Sequence, residues 1–263
     1  MDIKGRIVVV TGAGRGIGAA LCRRFAAEEA AAVVVSDRDL HAARRVAAEL
    51  AGRNTDSIAI ACDVTRSPDV RRLVDRTTSQ FGGVDVFCSN AGVTVKGGLT
   101  AADSDWQNMW ETNVMSRLHA AKSVVPQMLE KGAGYLVHTA SAAGILTEIG
   151  SALYSVTKHA DVALAEWLAV RYGRQGIRVS CVCPLGVDTE MIDDSDPIHR
   201  YLHLHSISAD DVAESVVQGM KDERFLILPH PQVAEFFNLK ADNYDRYIRG
   251  MQRLRQKLTR RAA

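Results

Sequence analysis

The sequence of 263 residues is 47% hydrophobic and 24% charged, which is typical of a folded globular protein and excludes a disordered or collagen-like chain. Its 32 basic and 31 acidic residues leave a formal net charge of +1, so overall charge does not favour nucleic acid or a membrane surface as a partner. No apolar run reaches the ~20 residues of a membrane helix. The five cysteines have no metal-binding spacing and predict reduced thiols in a cytoplasmic protein.

Short apolar runs alternate with longer helical patterns along most of the chain. The runs predict strands at Arg6–Val10, Ala32–Ser36, Ser57–Ala61, Val84–Cys88, Tyr135–Thr139, Ile177–Cys183 and Phe225–Leu228. The first helices are predicted at Ile17–Ala30, Leu40–Leu50 and Pro68–Phe81. Strands that are apolar throughout and separated by helices indicate a parallel sheet covered on both faces. The fold class predicted is a doubly wound, Rossmann-like α/β domain.

The C-terminal part of the chain departs from this alternation. We expect residues 1–228 to form the catalytic domain and residues 229–263 a helical extension of it. From Tyr244 onward, apolar residues recur every three or four positions, which predicts an amphipathic helix. Eight basic and two acidic residues follow Leu239, a local charge of +6. We interpret this as a solvated face whose apolar stripe packs on the body or on a partner subunit.

A glycine-rich turn follows the first strand. It reads Thr11-Gly-Ala-Gly-Arg-Gly-Ile-Gly18 and leads into the first helix. Glycine lets the backbone approach a pyrophosphate closely, and the helix N-terminus offers N–H groups to the phosphates. The spacing differs from both the usual dinucleotide fingerprint and the P-loop. The residues predicted to contact the cofactor here are Gly12, Arg15, Gly16, Ile17 and Gly18.

Asp37, at the end of the second strand, is the predicted selector of the dinucleotide. An acid at this position is placed to bind the ribose hydroxyls of NAD and to repel the 2′-phosphate of NADP. Charge-assisted hydrogen bonds of about 1.5–3 kcal/mol correspond to a roughly 10–150-fold preference. Arg15 and Arg38 leave an alternative open, because either could pair with a 2′-phosphate or with Asp37 itself.

Two further polar segments lie at the predicted carboxyl ends of strands, where open α/β sheets bind ligands. Asp63 and Val64 follow the third strand, and Asn90, Ala91 and Gly92 follow the fourth. Asp63 could accept a hydrogen bond from an adenine amino group. It could equally be the N-cap of the next helix, since Asp is a common N-cap residue.

Tyr154 and Lys158 are the predicted reactive pair. Residues four apart on a helix share one face, so the two side chains project together. A free tyrosine has a pKa of about 10, and a nearby ammonium is expected to lower it by about 2–3 units. Ser141 lies just past the fifth strand, where its hydroxyl could bind the substrate oxygen.

These motifs, in this order and spacing, resemble the short-chain dehydrogenase/reductase family over roughly residues 4–228. The resemblance implies strand order 3-2-1-4-5-6-7, a bound nicotinamide dinucleotide and a homodimer or homotetramer. It assigns Tyr154 as acid/base, Ser141 as the orienter of substrate, and Lys158 as the residue that lowers the Tyr154 pKa and binds ribose. Asn113 matches the family's asparagine at a helix kink, which holds a relay water.

After the sixth strand, the resemblance implies that Pro184, Val187 and Thr189 contact the cofactor. The family usually has Pro-Gly at this point, followed by a Val and a Thr that contact the nicotinamide amide. Here Leu185 is either inserted before Gly186 or replaces the family's glycine. The Val and Thr stay in register if it is a replacement.

The function predicted is NAD-dependent hydride transfer between a nicotinamide and a secondary alcohol or ketone. The alternatives are an NADPH-dependent carbonyl reductase and a dinucleotide-binding scaffold without turnover. The substrate pocket is expected to be covered by residues 191–208, and its substrate to be a moderately apolar small molecule. Three histidines in that segment, His199, His203 and His205, lack the spacing of a metal site, and no metal is predicted.

Overall fold

The computed structural model describes residues 1–191, 198, 200, 203, 204 and 206–260. Seven strands form one sheet in which every pair is parallel, and their order is β3-β2-β1-β4-β5-β6-β7. The strands are β1 (Ile7–Thr11), β2 (Ala32–Asp37), β3 (Asp56–Ala61), β4 (Val86–Ser89), β5 (Gly134–Thr139), β6 (Ile177–Val182) and β7 (Leu226–Ile227). The predicted doubly wound fold and its strand order are therefore confirmed.

Helices cover both faces of the sheet. The first six are α1 (Gly16–Ala27), α2 (Leu40–Glu49), α3 (Ser67–Phe81), α4 (Asp103–Trp110), α5 (Ser116–Lys131) and α6 (Ala152–Tyr172). The last three described are α7 (Ala209–Lys221), α8 (Pro231–Asp242) and α9 (Tyr244–Arg260). Short helical turns of other types occur at Glu111–Met115, Ala142–Gly144 and Gly173–Gln175. No helix in these described ranges is long and apolar enough to cross a membrane.

The central strand β1 shows why the strands are apolar throughout. Val8 and Val10 pack into a core formed with α1, α2 and α7, while Val9 packs into a second core formed with α3, α5 and α6. All three side chains are fully buried. Because side chains alternate between the two faces of a strand, a strand covered on both faces needs apolar residues at every position.

Of two helix ends, one differs from the sequence prediction and the other agrees with it. The prediction that the first helix reaches Ala30 is wrong, because Glu29 has a φ of 57° and lies in the left-handed region. Helix α3 ends at the predicted Phe81, since Gly82 takes a left-handed conformation with a φ of 90°. Glycine adopts that conformation without steric cost, whereas the positive φ of Glu29 carries no such sequence signal.

The C-terminal helices pack beside the segment that follows β5. Val233 of α8 is fully buried, and the buried Lys240 donates a hydrogen bond to the Ile145 carbonyl at 2.8 Å. The Lys240 ammonium also lies 5.3 Å from the Tyr244 ring centre and 5.6 Å from that of Tyr247. The predicted amphipathic helix is present as α9, and most of its basic side chains are exposed.

Candidate active site

The glycine-rich turn after β1 leaves no room for a side chain at Gly12 or Gly18. Gly12 has a φ of +62°, and a Cβ there would lie 2.7 Å from the Ala91 Cα. A Cβ on Gly18 would lie 2.2 Å from the Gly12 carbonyl oxygen. Helix α1 begins at Gly16, and no side chain of the described residues caps it. Its first N–H groups are therefore open to an anion, and the turn fits the pyrophosphate of a dinucleotide.

Asn90 holds this turn against β4. Its Nδ2 donates to the Thr11 carbonyl at 3.0 Å and to the Gly12 carbonyl at 3.1 Å. Its backbone N–H donates to the Thr11 hydroxyl at 3.1 Å. The Asn90 amide therefore shapes the turn, while Ala91 supplies the backbone that approaches Gly12 most closely.

Asp37 lies beside the same turn. Its carboxylate accepts hydrogen bonds from the backbone N–H groups of Gly14 at 2.9 Å and Asp39 at 3.0 Å. Arg15, which could have paired with Asp37, is bound instead to Glu190 at 2.5 Å. Arg38 is exposed and forms no ion pair with any described residue. The carboxylate is thus fixed at the edge of the turn, with one adjacent cation uncommitted.

The structure decides between the two interpretations of Asp63 as far as the helix is concerned. Helix α3 has Arg66 as its N-cap residue, so the N-cap interpretation of Asp63 is wrong. The Asp63 carboxylate accepts from the Thr65 N–H at 3.0 Å and from the Thr65 hydroxyl at 2.7 Å. Contact with adenine by Asp63 and Val64 stays a prediction.

The segment after β6 returns to the glycine-rich turn. A Cβ placed on Gly16 would lie 3.3 Å from Thr189 Cγ2, so Thr189 borders the predicted cofactor site. Val187 is buried and pairs with Ile207 in an isolated bridge. The N–H of Leu185 donates to His230 Nδ1 at 3.2 Å. Whether Leu185 is inserted or replaces a glycine stays a prediction.

Ser141, Tyr154 and Lys158 are brought together at the carboxyl end of β5. Helix α6 begins so that Ser151 caps it, accepting from the Tyr154 N–H at 3.0 Å. The Ser141 hydroxyl accepts from the Ala143 N–H at 3.1 Å and lies near the Tyr154 side chain, whose ionised form it favours. The Lys158 Nζ lies 5.5 Å from the Tyr154 ring centre and donates to the Thr139 carbonyl at 2.9 Å. A phenol, a hydroxyl and an ammonium therefore share one site.

The proton affinities of this pair differ from the sequence prediction. Burial raises the pKa of Tyr154 to about 12, although the nearby Ser141 hydroxyl opposes the rise. Burial and the Arg117 guanidinium lower the pKa of Lys158 to about 8. The expected fall of the Tyr154 pKa below its usual value is wrong for the chain alone, because desolvation of the phenol outweighs the groups that favour its ionised form.

Asn113 lies in the π-helical turn Glu111–Met115, which interrupts the helical stretch between α4 and α5. It is fully buried. Its Oδ1 accepts from the Val93 N–H, and its Nδ2 donates to the Val93 carbonyl, both at 2.9 Å. A Cβ on Gly92 would lie 3.4 Å from Asn113 Oδ1 and 3.7 Å from Lys158 Nζ. The predicted helix kink is present beside Lys158, and the relay water stays a prediction.

Much of the predicted pocket cover lies outside the described residues. The residues of this segment that lie outside the described ranges are 192–197, which include the predicted Ile192, and His199, Tyr201, Leu202 and His205. Within the ranges that are described, no three His, Cys, Asp or Glu side chains could hold a metal ion.

Sequence reasoning missed three polar side chains behind Lys158, namely Arg117, His138 and Asp161. They are buried at positions where helical periodicity or an apolar strand predicts an apolar residue. A charge at a core position was the available signal, since such residues are almost never fully buried unless they are paired.

Comparisons with known proteins agree on one family. A model described as short chain dehydrogenase matches residues 6–198. The 1-deoxy-11-beta-hydroxypentalenate dehydrogenase of Streptomyces exfoliatus is 38% identical over 231 residues, which cover 86% of this chain and 84% of the relative. The protein of the same name from Streptomyces arenae is 35% identical over 237 residues, with 86% and 83% covered.

Solved structures show the same likeness. A short chain dehydrogenase/reductase from Burkholderia phymatum in complex with NAD has a TM-score of 0.82 at 28% identity, covering 93% of this chain and 96% of its own. A short-chain type dehydrogenase/reductase from Mycobacterium marinum has a TM-score of 0.79 at 27% identity, covering 86% and 94%.

Proposed function

The chain belongs to the short-chain dehydrogenase family, and we propose that it transfers a hydride between NAD and a secondary alcohol or the matching ketone. The observation that carries the proposal is Tyr154, which lies beside Lys158 and near the Ser141 hydroxyl at the carboxyl end of β5. A bound nicotinamide supplies the hydride acceptor or donor. The protein supplies the group that transfers the proton and the group that binds the substrate oxygen atom.

In the oxidation direction, the alcohol loses a proton from its oxygen and a hydride from its carbon, which leaves a ketone. Tyr154 is the base that takes the hydroxyl proton. Ser141 holds the same oxygen by a hydrogen bond as its charge changes. In the reduction direction, Tyr154 returns the proton to the ketone oxygen. Lys158 exchanges its proton with this site, and Asn113 holds the water that leads towards solvent.

A moderately apolar alcohol is the substrate class that we propose. The names of the two Streptomyces relatives specify a dehydrogenase of a hydroxy compound, and we carry over only the reaction class. Ala142, Ala143 and Leu146, which follow Ser141 in the chain, are buried and apolar. Side chains of this kind favour a substrate with little charge near the reacting carbon.

NAD is the proposed cofactor because Asp37 presents a carboxylate beside the turn. We expect Asp37→Asn to weaken NADH binding and to strengthen NADPH binding, changing their ratio by about 10–150-fold. Titration of both nucleotides by nicotinamide fluorescence measures this ratio. Asp39→Asn is the matched control, because Asp39 caps α2 through the N–H groups of His41 and Ala42 and Asn caps equally well.

If the wild-type chain binds NADPH more tightly than NADH, the NAD proposal fails and the alternative, an NADPH-dependent carbonyl reductase, replaces it. The exposed Arg38 next to Asp37 is the observation that favours this alternative, since it could pair with a 2′-phosphate.

The pH dependence of oxidation is expected to follow the first proton lost by the Tyr154–Lys158 pair. Because oxidation needs a base, kcat/KM for the alcohol should rise with pH and level off above the midpoint. That midpoint is expected no higher than about 8, the value for Lys158, since the positive nicotinamide of NAD favours loss of the proton. In Lys158→Arg the guanidinium stays charged, so the same midpoint should move upward. A midpoint that stays in place in the variant would contradict the assignment.

A homodimer or homotetramer in the cytoplasm completes the proposal. Trp167 and Val170 of α6 are 55% and 84% exposed, and apolar side chains on one helix end favour burial against another subunit. Light scattering after size exclusion of Val170→Glu is the test. Dissociation to a smaller species supports this interface, whereas an unchanged mass assigns the contact to another surface.

A further inference from the structure

A group of three buried polar side chains lies directly behind the Lys158 ammonium. Arg117 on α5, His138 on β5 and Asp161 on α6 are at most 1% exposed. One carboxylate oxygen of Asp161 accepts from Arg117 Nε at 3.2 Å, and the other lies 2.8 Å from His138 Nδ1. The oxygen that binds Arg117 is also 3.9 Å from Lys158 Nζ. This group thus contacts the proposed active site from within the core.

The Arg117 guanidinium joins the segments that carry the other site residues. It donates to the Ala91 carbonyl at 2.5 Å, to the Thr112 carbonyl at 2.9 Å and to the Thr139 carbonyl at 3.4 Å. Ala91 belongs to the turn after β4, Thr112 to the π-helical turn that contains Asn113, and Thr139 to the end of β5. Because a guanidinium is planar with fixed donor directions, it sets the spacing of these segments.

Charged and titratable groups surround Lys158 on several sides. They are Tyr154 and Asp161 on its own helix, Arg117 on α5, His138 on β5 behind Asp161, Cys181 on β6 and Cys183 directly after it. Burial and Arg117 lower the pKa of Lys158, while Asp161 raises it. For Asp161 itself, burial would raise the pKa, but Arg117 and the His138 hydrogen bond overcome this and hold it below its usual range.

We infer that Arg117, Asp161 and His138 are positioning residues that fix the Lys158 ammonium beside the Tyr154 ring and balance the charge behind it. The inference rests on the proposed function, in which Lys158 takes part in proton transfer. Stability alone is a weak reason to keep such a group, because apolar residues can often replace a buried ion pair without loss. Arg117 and Asp161 act on Lys158 with opposite signs, which makes their roles separable.

The test compares two single variants of the full chain by pH profile. Asp161→Asn removes the negative charge near Lys158, so the midpoint of kcat/KM for oxidation should fall by about one pH unit or more. Arg117→Met removes the positive charge, so the midpoint should rise by about the same amount. Loss of stability would reduce active enzyme in both variants, but it would not move the midpoints in opposite directions. Midpoints equal to that of the wild type in both folded variants would overturn the inference.

Two further proteins keep the test decisive. The double variant Arg117→Met/Asp161→Asn removes both buried charges, so neither is left without its partner. We therefore expect it to fold even where a single variant does not. Its kcat/KM midpoint should return towards the wild-type value. Glu223→Gln is the control, since it breaks a surface pair with Arg178 and should shift nothing. A double variant shifted as far as Asp161→Asn alone would also overturn the inference.

A second readout separates the inference from the proposed function. NMR of the full chain with labelled lysine follows the titration of Lys158 without cofactor or substrate, with Lys158→Met as the assignment standard. The wild-type chain could turn over no alcohol while the Lys158 pKa still falls in Asp161→Asn and rises in Arg117→Met. In that case the proposed function fails and the inference about Lys158 stands.

Discussion

Tyr154→Phe should lower kcat for alcohol oxidation by about 10²–10⁴-fold, the usual contribution of a general acid/base. The substitution deletes only the hydroxyl that is proposed to exchange the proton. The ring stays, and with it the contact of the Lys158 ammonium at 5.5 Å from its centre. NADH affinity, measured by nicotinamide fluorescence, should therefore change little while turnover is lost.

Tyr172→Phe is the matched control for this prediction. Tyr172 ends the same helix and packs edge-on against Trp167, with ring centres 6.0 Å apart. Its hydroxyl has no part in the proposed chemistry, so kcat should match the wild type. A Tyr154→Phe enzyme with wild-type kcat would remove Tyr154 from the mechanism and leave the role of acid/base to another group.

Gly18→Ala should damage both the fold and cofactor binding. Its Cβ would lie 2.2 Å from the Gly12 carbonyl oxygen and 2.6 Å from the Asn90 Nδ2, and neither atom can retreat without reshaping the turn. Overpacking of this kind costs about 1–3 kcal/mol, which lowers Tm by roughly 2–12 °C. NADH affinity should fall by about tenfold or more, because the turn that it needs is displaced.

Gly173→Ala is the control for Gly18. A Cβ on Gly173 meets no atom within 4 Å, and its φ of −58° suits any residue. We expect unchanged NADH binding and a gain of roughly 0.4–1 kcal/mol in stability, since alanine restricts the unfolded chain. Equal Tm and NADH affinity in Gly18→Ala and the wild type would contradict the close packing of the turn.

The strands and the turn after β1 could be predicted because their signals are local. The apolar runs of β1 and β2 reflect burial on both faces, and Gly12 and Gly18 stand where a strand gives way to a helix. The strand order, by contrast, came from the family resemblance. Only tertiary packing shows that α1 ends at Ala27, before the left-handed Glu29, or that a π-helical turn surrounds Asn113.

The electrostatics of the site were the least predictable part. The spacing of Tyr154 and Lys158 placed them on one face, but it did not show how deeply each side chain is buried, and burial sets both pKa values. Arg117 and Asp161 lie 44 positions apart and meet only in the folded core. A charge at an apolar position indicates a partner without identifying it.

Transfer of deuterium from substrate to cofactor tests the central claim most directly. Secondary alcohols deuterated at the carbinol carbon would be incubated with the full chain and NAD, and the NADH recovered for mass spectrometry. The account predicts that NADH formed by the wild type carries the deuterium and that Tyr154→Phe forms little or no deuterated NADH. The reverse experiment offers deuterated NADH together with ketones. If the chain binds NADH but transfers deuterium in neither direction, the result would contradict the account and favour a dinucleotide-binding scaffold.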